Sequence, residues 1–186
     1  MLTHSVIEQI LEHLRSRYLG KYRGTVIDDK DPTRRGRLLI QVPAVLGDLQ
    51  VWAMPCVPYA GDKVGMLSLP AKGTGIWAEF EGGDPSFPIW VGCFWADEQL
   101  PKESQPNVKL WKTPSFTLEL IDEKEQLRAT SKSGSQLLIG QDVQAKSGST
   151  TQTVSKQGVV SESGKGAKVD VSGSTVSVNN GALEVL

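Results

Sequence analysis

Apolar and polar positions alternate in three different ways along the chain. Near its start, Ile7, Ile10, Leu11 and Leu14 recur at helical spacing and Tyr18 continues the stripe. This predicts one amphipathic helix within residues 1–20. Ser5 and Glu8 have the spacing of a capping box, and Gly20 supplies a stop. A helix this short is marginal alone, so its stripe must lie against its own domain or a partner subunit.

From residue 21 to 98 the period becomes two. Tyr22–Ile27, Arg37–Val42, Trp52–Val57, Met66–Leu69, Gly75–Phe80 and Pro88–Phe94 read as short strands. Asp31-Pro32 through Gly36, and Gly82-Gly83-Asp84-Pro85, supply the turn chemistry between them. Five or six strands of this length make a small closed barrel such as an OB-fold.

Residues 99–111 read as a linker, and the composition changes again over 112–186. Prolines stop after Pro114 and aromatics after Phe116, and Ser, Gly, Thr, Val, Lys and Gln take over. Phe116, Leu118 and Leu120 alternate with Thr117 and Glu119. Val169 and Val171 alternate with Lys168 and Asp170, and Val176 and Val178 flank Ser177. Ser-Gly pairs recur at 133, 147, 163 and 172, too irregularly for a strict repeat. Each predicted strand carries one thin stripe of mostly small apolar residues, which a single chain cannot enclose. Isolated ribbons are marginal, and identical chains wrapped on a shared axis would bury the stripes and cover the strand edges. The expectation is therefore a mainly β protein with a short N-terminal helix, an OB-fold barrel and a C-terminal intertwined trimeric β-helix. Its trimer core would hold Phe116, Leu118, Leu120, Val169, Val171, Val176 and Val178.

Charge and candidate chemistry narrow the function. The 186 residues carry a formal net charge of −1, which argues against nucleic acid as the main partner. Arg34 to Arg37 follow Asp28, Asp29 and Asp31, and read as a solvated hairpin tip. No apolar run approaches the roughly 20 residues of a membrane span. No signal-peptide pattern opens the sequence, so synthesis in the cytosol is expected. Cys56 and Cys93 match no zinc motif and are expected as reduced, buried thiols, with a disulfide between them left open.

His4 and His13 are the only histidines, so the body of the chain offers no Ser-His-Asp triad and no Cys-His pair. No metal or cofactor site is expected. Glu79/Glu81 and Asp122/Glu123 read as solvated charges rather than glycosidase acids. Trp52, Trp77, Trp90, Trp95 and Trp111 sit among Val, Ile, Pro and Glu, which fits core packing or a protein surface. The alternative function is a single-stranded nucleic-acid-binding OB module with a disordered tail.

Two runs carry a family resemblance. Gly24-Thr-Val-Ile27, Asp31-Pro32, Gly36-Arg37-Leu38 and Val42-Pro43 resemble the opening of the OB domain of phage-tail spike proteins. Gly73 through Trp77, Phe80 and Pro85, then Pro88 to Gly92, resemble its closing half. That domain is shared by phage baseplate assembly protein V, the cell-puncturing device of contractile phage tails, and the VgrG spikes of type VI secretion. The resemblance implies a non-enzymatic central spike of a contractile particle, assembled into its baseplate. It implies a homotrimer docked on a separate hub protein, a PAAR-type tip protein and transient contact with a target membrane. The hub-docking residues would be Ile7, Ile10, Leu11 and Leu14, and the tip residues Leu183, Val185 and Leu186. About fifteen residues separate barrel from β-helix, too few for the lysozyme domain some relatives insert there. About twenty precede the barrel, where VgrG proteins carry a large hub module.

Overall fold

The computed structural model describes residues 4–185. The chain forms two compact units, one ending at Gln99 and the other beginning at Leu100.

The first unit opens with helix α1 (His4–Arg15). Its apolar residues Ile7, Ile10, Leu11 and Leu14 are all exposed, so the barrel flank does not cover them. The Ser5 side chain, the expected cap, lies outside the described residues. Tyr18 does not continue the helix as its spacing suggests. Its N–H donates to the Gly83 carbonyl at 2.9 Å, and its ring meets Tyr22 and Phe80 at centroid distances of 6.0 and 6.1 Å. A side chain at position 83 would come within 3.0 Å of Arg17 and Leu19. Gly83 thus lets the segment after the helix lie directly on the barrel.

The barrel strands are β1 (Tyr22–Asp28), β2 (Leu38–Gln41) and β3 (Gln50–Pro55), then β6 (Gly75–Phe80) and β7 (Pro88–Cys93). Between β3 and β6 runs a ribbon of two-residue strands, β4 (Ala60–Gly61) and β5 (Val64–Gly65). The barrel closes in the order β1-β2-β3-β7-β6, with β3 and β7 parallel. This is the five-stranded OB architecture. The alternation 38/40 on β2, continued by Val42 just after it, and 76/78/80 on β6 points inward. Leu38, Ile40, Val42, Ile76, Ala78 and Phe80 are all buried, with Val26, Ala53 and Trp90 completing the core. The strand predicted over Met66–Leu69 does not form; Met66 and Leu67 are exposed in the loop after the ribbon. A short helix the pattern did not show, α2 (Pro43–Leu46), follows β2, with Pro43 in its first turn where the missing N–H costs nothing.

The tip of the β1–β2 turn, residues 32–35, is exposed as its charges suggest, but Asp31 and Arg37 at its base are packed together. The Asp31 carboxylate accepts backbone N–H groups from Thr33, Arg35 and Arg37. It also accepts the Thr33 hydroxyl and two guanidinium N–H groups of Arg37. Its side chain is only 4% exposed. Arg37 stacks over Trp52 at 5.3 Å, and Trp90 Nε1 donates to the Gly36 carbonyl at 3.3 Å. These donors, the Arg37 guanidinium foremost, hold the Asp31 carboxyl well below the usual carboxylate range. A depressed folded-state pKa gives stability that is complete above the unfolded value, about 4, and lost as pH falls below it. Asp31→Asn is therefore expected to lower the melting temperature at neutral pH and to flatten its decline below about pH 4. Parallel melting-temperature profiles with an unchanged acid limb would refute this.

The second unit is a ten-stranded antiparallel meander in which each strand pairs with its sequence neighbours. It runs β8 (Val108–Lys112), β9 (Phe116–Ile121), β10 (Gln126–Ser131), β11 (Gln136–Ile139) and β12 (Val143–Ser147). It continues through β13 (Thr150–Val154), β14 (Gly158–Glu162), β15 (Lys168–Ser172), β16 (Thr175–Val178) and β17 (Leu183–Val185). The end of the predicted linker is thus strand, since β8 contains residues 108–111. The Ser-Gly pairs are explained: Gly134, Gly148, Gly164 and Gly173 all have positive φ, and each lies in a hairpin turn.

Candidate trimerisation surface

The second unit has almost no core of its own. Among its described residues only Ile121 is buried. The pairing register explains this. Residues directly opposite in antiparallel strands project on the same face, so the register traces columns across the sheet. One column starts as Leu120, Leu127, Ile139 and Val143. It continues through Val154 and Val159 and ends in Val171, Val176 and Val185. The column beside it runs Trp111, Leu118, Ala129, Leu137 and Ala145. After Gln152 and Ser161 it finishes in Val169, Val178 and Leu183.

Both columns occupy one face, and they gather most of the apolar residues of the unit. The other face is largely polar: Glu119 pairs with Arg128 at 3.6 Å, and Lys168 with Asp170 at 3.3 Å. The apolar face is nonetheless open. Val169 and Val171 remain 41% and 42% exposed. A single sheet must bury its apolar face against another layer to be stable, and this unit supplies none. Burying the remaining exposed part of each valine contributes on the order of 1 kcal/mol, a gain this unit does not realise by itself.

Residues 22–95 match the family described as the type VI secretion system/phage-baseplate injector OB domain. Residues 131–184 match the phage baseplate V C-terminal trimerisation domain, and the two matches together cover well over half the chain. The chain belongs to the phage baseplate V family. A search of the curated proteins finds no match. This baseplate V protein is thus a mainly β, non-enzymatic baseplate spike component, and its trimerisation domain supports a homotrimer. That domain coincides with β11–β16 and most of β17, so it contains the columns from Ile139 to Val176 and from Leu137 to Leu183, while their starts on β8–β10 precede it.

The residues expected in a trimer core take their places as follows. Leu118, Leu120, Val169, Val171, Val176 and Val178 lie in the two columns. Phe116 lies on the same face, opposite Ser131 and beside the second column, two residues along β9 from Leu118. Of the expected tip residues, Leu183 and Val185 are exposed on β17, an edge strand of the sheet; Leu186 lies outside the described residues. The alternation rule misses Leu127, Leu137, Ile139, Val143, Val154 and Val159, all in the columns. Their own short strands mix in Gln, Ala and Thr, and only the cross-strand register aligns them.

The baseplate V barrel carries a different set of groups. Cys56 and Cys93 are free but exposed, not buried as expected, because both fall at the ends of barrel strands. The tryptophans are not isolated from cations as their sequence neighbours suggest. Arg23 opposes Trp77 across β1 and β6, and its guanidinium lies 5.6 Å from Trp77 and 5.2 Å from Phe94. Glu79 forms an ion pair with Lys21. No group of three or more metal-ligating side chains converges among the described residues. Among the same residues, no helix is long and apolar enough to cross a membrane.

Proposed function

We propose that three copies of this chain bring their column faces together on a common axis and form the rigid central spike of a contractile particle. The open pair of apolar columns on a sheet without a core carries this reading. Three such sheets would bury one another's valines and shield their edges, while the faces bearing Glu119, Arg128, Lys168 and Asp170 meet water. A continuous hydrogen-bonded ladder resists local opening, which is what transmitting contraction force to a target envelope requires. Light scattering is expected to give three times the 20.2 kDa chain mass. A folded, all-β monomer would overturn the proposal.

The same reading gives α1 a role. Its exposed stripe of Ile7, Ile10, Leu11 and Leu14 suits docking on a hub protein, with the apolar face laid into a groove. Leu11→Asp is expected to weaken hub binding more than tenfold and to leave the oligomeric mass unchanged. Hub affinity within twofold of the parent chain would count against the assignment. At the other end, exposed Leu183 and Val185 on edge strand β17 suit a tip partner that adds to the sheet.

A further inference from the structure

The second column is apolar except at one place. Between Ala145 and Val169 it passes through Gln152 on β13 and Ser161 on β14, which oppose each other directly. The first column has no such break: the neighbouring residues there are Val154 and Val159. Among the described residues the Gln152 carboxamide makes no hydrogen bond within the chain. It borders a groove of about 660 Å³ that Ser161 and Val169 also line. A polar pair thus sits mid-strand in a column that is otherwise apolar.

We propose that Gln152 and Ser161 form the register-setting polar layer of the homotrimer, with the equivalent pairs of the two other copies as their partners. This rests on the reading that the column face turns inward, within the segment matched to the trimerisation domain. Three carboxamides then converge on the axis. Each has both a donor and an acceptor, so they can bond one another in a ring, with the Ser161 hydroxyls or trapped water completing the set.

Such a layer is needed because the distal strands are otherwise alike. On β15 and β16 the face holds only Val169, Val171, Val176 and Val178. One chain could slide past its neighbours by a hairpin, about 10 Å along the sheet, and still bury valine against valine. A slide would place Gln152 against aliphatic layers and strand its carboxamide without partners. Aligned chains satisfy it. A single polar layer in an otherwise apolar seam selects register in the same way in coiled coils.

The test uses the full chain with Cys56 and Cys93 replaced by serine and one spin label at Ser174, in the turn between β15 and β16. The parent trimer is expected to show one narrow distance between labels. Gln152→Val is expected to remain trimeric, with equal or greater resistance to SDS, but to show a broadened or split distance distribution. Gln152→Asn, which keeps the carboxamide, is expected to stay narrow. A narrow distribution in Gln152→Val, or loss of its trimer, would overturn the proposal, since the layer would then not select register. Val169→Asp separates this from the underlying reading. If Val169→Asp trimerises normally, the inward face itself is wrong. If it abolishes the trimer while Gln152→Val stays narrow, only the register layer falls.

Discussion

Replacing Val169 with aspartate is expected to abolish the trimer, whereas removing the charge from its neighbour Lys168 leaves assembly intact. Side chains alternate across a strand, so adjacent residues sample opposite faces of the same backbone. Val169 sits in the second column between Ser161 and Val178. In the proposed trimer, three copies of an aspartate there would share one layer. A buried carboxylate without a partner costs several kcal/mol, and each would also repel two like charges. The stem of aspartate is too short to reach water around the edge. Lys168 is on the other face, paired with Asp170 at 3.3 Å and Glu162 at 3.8 Å. Its replacement must be neutral: an aspartate at 168 would gather three carboxylates and confuse the comparison. Lys168→Gln loses only partly exposed ion pairs, worth about 0–1 kcal/mol. Trimer yield by size-exclusion with light scattering, and SDS resistance, read both variants. Equal tolerance would mean that the columns are not the subunit interface.

What the sequence reveals here depends on whether the deciding contact is local. The barrel strands at Leu38–Gln41 and Gly75–Phe80 are legible because one face is buried within the same unit, which leaves a clean alternation. The Ser-Gly turns are legible because each answers a local backbone demand. Position 18 misleads because its spacing is helical, while the Tyr18 N–H is taken by Gly83, 65 residues away in sequence. The Asp31 network looks like a solvated charge run because nothing local shows that six donors converge on one carboxylate. The columns fall between these cases. Val169 and Val171 declare themselves by alternation, but Val143, Val154 and Val159 join them only through pairing. The same register exposes Gln152 as the odd member of its column; within β13, among threonines, it looks like any other surface residue.

Gly158 tests whether the packing of these strands is as tight as the register implies. It opens β14, opposite Ser172 on β15. A Cβ at position 158 would lie 1.9 Å from the Val171 carbonyl oxygen and 2.9 Å from its carbon. These are backbone atoms, so no rotamer change relieves the overlap. Gly158 also has a φ of 155°, which a residue with a side chain rarely adopts. The escape is to twist its own backbone or to move β14 away from β15, and either disturbs the ladder next to the Val159–Val171 pair of the first column. Gly158→Ala is therefore expected to destabilise the second unit by about 3 kcal/mol per chain, the upper end for overpacking, with the effect repeated in every subunit of the trimer. Gly148→Ala is the matched control. Its φ of 59° makes alanine strained, at about 1 kcal/mol, but no atom lies within 4 Å of the added methyl. Thermal unfolding of the two variants should separate clearly, with the barrel transition unmoved in both because its core lies wholly within the first unit. If Gly158→Ala melts with or above Gly148→Ala, β14 and β15 are not held at the spacing described, and the first column does not run unbroken through Val159 and Val171.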